Sequence, residues 1–497
     1  MHALFRADAS PDIGGGHVMR CLTLADTLAA AGWSCGFAFR SGTLQTVPAL
    51  KRSGHVLQLL SGAVADEPAE MAETLRGCCD LLVVDHYGRG ADFETACRSF
   101  AHRLLVFDDQ PLRRHDADLL LDATPRAGDN HYRGLVPPGC SLLLGPAFVP
   151  LRPEFALARA KALARRVRGG AVQRLLVSVG LTDRLNVTSR ILRGVCASGL
   201  PLTVDVVLGS AAPHLESVRG LIAELKLDAQ LHVDVSDMAA LAAAADLAIG
   251  AGGQSSLERC CLGLPSLLVV TADNQRDLAA GLERCGAAAL LSGPLIEPDE
   301  VARALARICA DPDRRVCMAH AAAELCDGRG PVRVQIALAG EERAKGGKSV
   351  RLRLATQADR DLLLSWQQHP ATRRFSHNPQ APTGAEHDRW LAGVLGDPSR
   401  LLMISLCDEK PAGMLRLDRI GPNSQRISIL TAPEFARSGV AQACLAIARR
   451  IFPAAELCAE VLPENEASRR LFQSAGYIET EPGFFTRSEE PNRRHPS

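Results

Sequence analysis

Ala3-Leu4-Phe5-Arg6-Ala7 followed by Pro11-Asp12-Ile13-Gly14-Gly15-Gly16-His17-Val18-Met19-Arg20 is the stretch that decides the fold. A short apolar run of strand character leads in, and an apolar helical run from about Val18 to Ala31 leads out. Between them stand three glycines, then a histidine where a helix should begin. Glycines let the backbone approach a bound group, and the unpaired N–H groups of a helix start favour an anion such as a diphosphate. A histidine there touches whatever is bonded to that anion. Gly14, Gly15 and Gly16 are therefore read as an anion cradle, and His17 as the catalytic base of an enzyme acting on a nucleotide-linked substrate. A tight strand-to-helix turn, with His17 merely opening the helix, accounts for the loop alone equally well.

Outward from this loop, short apolar runs alternate with helical ones to about residue 148. Strands are expected at 2–7, 35–39, 56–60, 80–84, 103–107 and 118–122. Such alternation predicts a parallel sheet covered by helices on both faces, with ligands beyond the carboxyl ends of the strands. Asp85-His86-Tyr87-Gly88 and Asp108-Asp109 fall at two of those ends. The aspartate pair is read as a strand-end turn, and no metal cluster is expected.

A loop rich in Pro and Gly, from Pro137-Pro138-Gly139 to Pro153, marks a crossing, and the alternation restarts near 172. Strands are expected at 173–179, 203–208, 230–233, 246–250, 266–271 and 288–291. Two similar α/β halves suggest a cleft enzyme with substrate between them. In the second half Gly252-Gly253-Gln254-Ser255-Ser256-Leu257-Glu258 repeats the first design: a strand, glycines, then a helix start. Backbone N–H groups of Gly252 and Gly253, with the Ser255 and Ser256 hydroxyls, suit phosphate oxygens. Glu258 suits two neighbouring ribose hydroxyls. A capping box of Ser255 and Glu258 explains the glutamate but not the glycines before it. The amides of Asn274 and Gln275 after strand 266–271 suit an N-acetylated sugar, although Asp273 could simply cap a helix. Gly180-Leu181-Thr182-Asp183 with Asn186 is equivalent in position and equally open to a turn-and-cap reading.

The 497 residues carry 56 basic and 56 acidic side chains, so nothing calls for nucleic acid or an anionic membrane surface as partner. Sixteen cysteines include the adjacent pairs Cys78-Cys79 and Cys260-Cys261 but no Cys-x-x-Cys, which reads as reduced core cysteine rather than a zinc or disulfide framework. No signal sequence and no apolar run of membrane-spanning length is evident, and a soluble cytoplasmic protein is expected.

Arg6-Ala7-Asp8, the Gly14 to Cys21 run, Val84-Asp85-His86-Tyr87-Gly88 and Leu144-Gly145-Pro146 with Leu151-Arg152-Pro153-Glu154-Phe155 resemble one family. It is that of the UDP-sugar hydrolases of pseudaminic acid biosynthesis. Gly252-Gly253, Glu258-Arg259-Cys260-Cys261-Leu262-Gly263-Leu264-Pro265 and Asp273-Asn274-Gln275 agree, so the resemblance spans most of residues 1 to about 338. It implies two Rossmann-like halves of glycosyltransferase B type, related to the lipid II N-acetylglucosaminyltransferase. It implies hydrolysis of UDP-2,4-diacetamido-2,4,6-trideoxy-β-L-altropyranose, without a cofactor, to UDP and free sugar. His17 would be the general base, Tyr87 and Asn186 would contact substrate, and Ser255, Glu258, Asn274 and Gln275 would hold UDP or sugar. Leu181 and Leu257 depart from the family's glycine and tryptophan, which puts the fit of the sugar in question.

Beyond a polar, glycine-bearing stretch ending in Lys345-Gly346-Gly347-Lys348 the style changes to mixed α+β. Asn465-Glu466-Ala467-Ser468-Arg469-Arg470-Leu471-Phe472-Gln473-Ser474-Ala475-Gly476-Tyr477 resembles the signature of GNAT acetyltransferases. Upstream, Arg437-Ser438-Gly439-Val440-Ala441 opens a helix where that family binds the acetyl-CoA pyrophosphate through backbone N–H groups. By resemblance Arg437, Ser438, Gly439, Val440, Ala441, Asn465 and Ser468 hold acetyl-CoA, the co-substrate. Ala436 departs from the family's pattern, and Phe472 stands where many relatives carry a tyrosine that protonates the departing thiolate. Read from the residues alone, Glu434 or Glu464 could act through water as the base, and each reads equally well as an exposed carboxylate; Arg373, Phe375, His377 and Asn378, in a loop-like run, are placed to face the acceptor.

The expected organisation is a first Rossmann-like domain over 1–148, a UDP-binding one over 149–338, a linker over 339–349, a GNAT domain over 350–486 and a disordered tail over 487–497. The expected function is bifunctional: hydrolysis of the UDP-diacetamido sugar with inversion, and N-acetylation of its UDP-4-amino precursor. Two alternatives remain: a glycosyltransferase with an acceptor other than water, and a hydrolase carrying a non-catalytic acetyl-CoA-binding module.

Overall fold

The computed structural model describes residues 1–10, 13–75, 77–126, 131–167 and 169–487. Pro11 and Asp12 of the glycine loop, and the expected tail from residue 488 on, lie outside the described residues. The chain divides into two compact units, one of His2–Asp26 and Ser34–Pro331, the other of Met1, Thr27–Trp33 and the chain from Val332.

The larger unit contains two parallel sheets. The first is built from β1 (His2–Ala7), β2 (Ser34–Phe39), β3 (Val56–Leu59), β4 (Leu81–Asp85), β5 (Leu104–Phe107), β6 (Leu119–Asp122) and β7 (Ser141–Leu144). Their order is β3-β2-β1-β4-β5-β6-β7. β4, β5 and β6 are buried at every residue, as expected of strands covered by helices on both faces. β7 departs from the loop that its sequence predicts, since its four residues sit between Pro-Pro-Gly and Gly-Pro. In the structure Ser141 to Leu144 pair in register with Leu119 to Asp122.

The second sheet holds β8 (Arg174–Ser178), β9 (Thr203–Leu208), β10 (Ala229–Val233), β11 (Leu247–Ala251), β12 (Ser266–Val269) and β13 (Ala289–Leu290), in the order β10-β9-β8-β11-β12-β13. In each sheet the order reverses at the first strand: β1 lies between β2 and β4, and β8 between β9 and β11. The crevice outside the carboxyl ends at such a reversal is where open parallel sheets bind ligands. The glycine loop follows β1 and Gly252-Gly253 follows β11, so both candidate loops occupy these positions. The register Ala7↔Asp85 also carries the end of β4 to the foot of the glycine loop.

The smaller unit has an eight-stranded sheet of β14 (Glu342–Arg343), β15 (Ser349–Leu354), β16 (Arg400–Cys407), β17 (Lys410–Gly421), β18 (Ser424–Thr431), β19 (Glu456–Glu460), β20 (Ile478–Glu481) and β21 (Phe484–Arg487). Its order is β14-β15-β16-β17-β18-β19-β21-β20. Buried and half-buried residues alternate along β15, the pattern of a strand with one face in the core. Only β18 and β19 run parallel, and their pairing stops at Ile427↔Ala459, while β18 continues along β17 to Thr431. Beyond that point the two strands part.

The boundary expected near 338 falls earlier, at Pro331/Val332. Ile336 and Ala339 of the helix Gly330–Ala339 are buried with Ile447 and Ile451, and Gln335 Nε2 donates to Ile451 O at 2.8 Å. The stretch 339–349 is likewise not a free linker. Glu342 and Arg343 pair with Val350 and Ser349, and Lys345 N donates to Ser438 O at 3.0 Å. Its polar composition misled because a two-residue edge strand carries almost no apolar pattern. Among the described residues no helix is long and apolar enough to cross a membrane.

Candidate functional site

His17 is the second residue of the helix Gly16–Ala30 and is almost fully buried. A Cβ on Gly15 would stand 2.9 Å from Val47 Cγ2 and 3.7 Å from Leu181 Cδ1, so only glycine lets this turn close on its neighbours. His17 Nδ1 lies 2.6 Å from Asp85 Oδ1. Arg20, one helical turn on, grips the same carboxylate through Nε at 2.5 Å and Nη2 at 2.7 Å. Burial alone would raise the Asp85 carboxyl, but Arg20 and His17 outweigh it and hold it well below the usual carboxylate range. A carboxylate only accepts, so the proton between the two groups sits on Nδ1. With the proton on Nδ1, Nε2 is the ring nitrogen left to accept.

Tyr87 completes this cluster. Its ring meets that of His17 edge-on at 4.9 Å, and its hydroxyl donates to Asp109 Oδ1 at 2.8 Å. Asn274 Nδ2, from the second sheet's side, donates to the Tyr87 hydroxyl at 3.1 Å, leaving Asn274 Oδ1 buried without a partner. Asp109 Oδ2 also lies 3.4 Å from Arg20 Nη1, so this aspartate is committed to protein donors. Three residues singled out from sequence, His17, Tyr87 and Asn274, thus come together from both halves.

The helix Gln254–Cys261 starts directly after Gly253. The Ser255 hydroxyl lies 3.4 Å from Arg259 Nη1, whereas Ser256 is turned inward and donates to Gly253 O at 2.6 Å. The phosphate contact expected of Ser256 is thereby corrected: its hydroxyl closes the first turn of its own helix. Glu258 Oε1 lies 3.5 Å from Arg152 Nη2; burial raises this carboxyl, with Arg152 and Arg259 opposing. Gln275 Oε1 accepts from Thr271 N and Oγ1, so that amide braces its own loop. Asn186, with φ 53, opens the helix Val187–Ser198 and accepts from Ser189 Oγ at 2.6 Å. It lines an open groove of about 740 Å³ with Arg190, Arg193 and Glu297, and the structure does not join it to His17.

In the smaller unit Gly439, with φ 87, opens the helix Val440–Ile451, and Arg437 before it has φ 61. Ser438 donates its hydroxyl to Phe435 O at 2.5 Å, Val440 is buried in the core, and Ala441 lies in the first turn. The backbone N–H groups of that first turn have no partner within the helix. Asn465 and Ser468 are brought together, but with each other: Asn465 Oδ1 accepts from Ser468 N at 3.1 Å as a helix cap. The Asn465 carbonyl oxygen is thus engaged in the cap, whereas its Nδ2 amide takes no part in that bond.

A family model described as an acetyltransferase (GNAT) domain matches residues 349–478. The last third of the chain carries a GNAT domain. The first two thirds is homologous to sugar-biosynthesis enzymes. Over 341 residues it is 27% identical to the spore coat polysaccharide biosynthesis protein SpsG of Bacillus subtilis, covering 67% of this chain and 96% of that one. Over 246 residues it is 27% identical to the UDP-2,4-diacetamido-2,4,6-trideoxy-beta-L-altropyranose hydrolase of Campylobacter jejuni, covering 48% of this chain and 81% of the other. The crystal structure of Acinetobacter baumannii MurG superposes with a TM-score of 0.50 at 16% identity over 67% of this chain and 97% of MurG. The larger unit has the glycosyltransferase B fold.

Within the GNAT domain Phe472 is buried, its ring 5.1 Å from Tyr477 and 5.9 Å from Phe485. The Tyr477 hydroxyl is buried without a partner, and burial raises it far above a tyrosine's ordinary range. Neither ring stands ready to pass a proton. Arg373 Nη1 donates to Asn378 O at 3.1 Å, so its guanidinium ties down its own loop rather than facing an acceptor. Glu434 and Glu464 are both exposed.

In the sequence Asp85 and Asp109 are marked only by their places at strand ends, and Arg20 by nothing beyond the glycine-loop resemblance. One signal was available: His17 and Arg20 are three apart on a helix and share a face. That their common partner is the last residue of β4 depends on the β1–β4 register.

Proposed function

We propose that the larger unit hydrolyses UDP-2,4-diacetamido-2,4,6-trideoxy-β-L-altropyranose to UDP and the free sugar. The observation that carries this reading is the His17–Asp85 contact at 2.6 Å, which leaves His17 Nε2 as a free acceptor beside the glycine loop. His17 Nε2 takes a proton from water as the water oxygen bonds to the anomeric carbon. The bond from that carbon to the UDP oxygen breaks, and the electron pair leaves on UDP. A single displacement inverts the anomeric configuration. A base so placed contributes about 10²–10⁴-fold. The leaving diphosphate needs charge stabilisation rather than a proton, and the helix starts after Gly16 and Gly253 suit that task. Glu258 accepts from the ribose hydroxyls, and Tyr87 and Asn274 lie against the sugar. The Campylobacter jejuni relative, named as this hydrolase, supports the choice of substrate.

The GNAT domain, in this proposal, N-acetylates the UDP-4-amino precursor of the same sugar. Acetyl-CoA supplies the acetyl group. Backbone N–H groups from Gly439 to Ala441 suit its pyrophosphate, with Arg437 exposed beside them, and the parting of β18 and β19 offers the slot for its chain. All sixteen cysteines are free thiols, ten of them buried, which suits a reducing cytoplasm.

The test is NMR of the full chain with the UDP-diacetamido sugar. UDP and the inverted free sugar are expected at once, and His17→Ala should abolish turnover; wild-type turnover in that variant removes His17 as the base.

One observation favours a second reading. Ile13, Leu181 and Leu185, each more than two fifths exposed, belong to loops that meet at Gly15. Such an apolar rim suits an acceptor with an apolar face, as a glycosyltransferase would use. UDP release in the absence of any acceptor excludes it; release only on adding an acceptor would replace hydrolysis by transfer.

A further inference from the structure

Arg259 is 3% exposed, yet its hydrogen bonds go to neutral oxygens. Nη2 donates to Ala251 O at 2.8 Å, Nη1 lies 3.4 Å from Ser255 Oγ, and Nε has no partner. Glu258, its neighbour in sequence, turns to Arg152 instead. Among the other deeply buried guanidinia of this unit, Arg6 and Arg89 are bonded to Glu67, whereas Arg166 and Arg315, like Arg259, are held by neutral oxygens. What sets Arg259 apart is its place at the Gly252–Gly253 loop, against Ala251 O and Ser255 Oγ. A guanidinium does not deprotonate near neutral pH, so a buried one without a counter-charge is held at a cost. Burial pushes Arg259 down to about 10, with Cys260 and Glu258 opposing.

Room is made for this cation. A Cβ on Gly250 would stand 2.7 Å from Arg259 Nη1 and 2.6 Å from Ser178 O, so the guanidinium occupies the space that any side chain on Gly250 would need. That space is at the carboxyl end of β11, directly behind Gly252, Gly253 and Ser255.

We infer that Arg259 is the built-in counter-charge of the UDP diphosphate, acting from behind the Gly252–Gly253 loop and through Ser255. The inference rests on the UDP reading above. The anion, rather than a carboxylate of the chain, then neutralises the guanidinium. Arg259 is a positioning residue, since the loop backbone and Ser255 stand between it and the ligand. Its pull grows as the glycosidic bond breaks and negative charge collects on UDP.

The experiment is titration calorimetry of the full chain with UDP, UMP and uridine, on the wild type, Arg259→Met and Arg259→Lys. Arg259→Met is expected to weaken UDP by about tenfold or more, UMP by less and uridine not at all, while Arg259→Lys keeps most of the UDP affinity. The melting temperature of ligand-free Arg259→Met should equal or exceed that of the wild type, because a buried charge bonded to no carboxylate is gone. Equal losses for all three ligands, or a lowered ligand-free melting temperature, would mean that Arg259 only props the loop, and would overturn the inference. So would unchanged UDP affinity in the methionine variant. A wild type that does not bind UDP overturns the UDP reading itself.

Discussion

Asn274 donates to the Tyr87 hydroxyl at 3.1 Å, and Tyr87 in turn donates to Asp109 at 2.8 Å. The loop after β12 is thereby joined to the loop after β4, and the ring so held stands edge-on to His17 at 4.9 Å. The state of the second half therefore reaches His17 through one aromatic side chain.

Removing that link should show in catalysis before stability. Asn274→Ala is expected to lower kcat/KM for the UDP-diacetamido sugar by about tenfold, the scale of one lost hydrogen bond, with the melting temperature nearly unchanged. Initial rates of UDP release and a thermal melt check it.

Asp85→Asn keeps the shape but replaces an acceptor-only group with one that can donate. Nδ1 of His17 no longer has a carboxylate to hold its proton there, and Nε2 is no longer reserved as the base. A fall in kcat of on the order of 10²-fold or more is expected, with KM little changed. Wild-type kcat in this variant would show that the carboxylate does not set the tautomer.

His115 is fully buried between two carboxylates, with Nδ1 2.7 Å from Glu94 Oε1 and Nε2 3.5 Å from Asp108 Oδ2. Burial lowers its proton affinity, but Asp108 and Glu94 outweigh this and raise it to about 9 from an ordinary 6.5. A group raised on folding stabilises fully below its unfolded value and loses that contribution as pH rises through the folded one. Melting temperature should therefore decline as pH climbs from 6.5 towards and past 9, and His115→Asn should flatten that decline.

Glu67 behaves in the opposite sense. Burial raises its carboxyl, but Arg89, Arg6 and Arg40 bring it down to about 2 from an ordinary 4.5. Its contribution is present above 4.5 and is lost as pH falls towards 2, so Glu67→Gln should melt lower at neutral pH and show a shallower acid limb.

Phe472 has no hydroxyl and sits in the GNAT core between Tyr477 and Phe485. Phe472→Ala should cost about 3–5 kcal/mol of stability, as for a large buried aromatic. Phe472→Leu should leave the pH profile of acetyl transfer unchanged, which a kinetic titration reads directly.

Much of the fold was legible because parallel strands buried on both faces are near-continuous apolar runs. Among the described residues, twelve of the thirteen strands in the larger unit fall on runs expected from sequence; β7 does not, since proline and glycine on both sides outweigh four residues. β14 was missed for a related reason: two polar residues at a sheet edge carry no period. In the candidate site, the glycine loops, His17, Tyr87 and Asn274 announced themselves because turn chemistry and polar residues at strand ends are local features. Ser256 and Asn465 looked the same in sequence, yet the Ser256 hydroxyl and the Asn465 carbonyl oxygen are each used within their own helix start.

What the sequence by itself determined is the placement of chemistry along the chain: glycines after strands, a histidine at a helix start, a glutamate one turn into another helix. Local spacing suffices for that, because strand and helix periods are short. Only the tertiary structure decided which of these groups meet. Register aligned Ala7 with Asp85 and so put a carboxylate against His17. Packing around Gly250 buried the Arg259 charge behind a loop rather than in water. Pairings 65 to 187 residues apart have no local trace, since they arise from strand order and burial and not from neighbours in the chain.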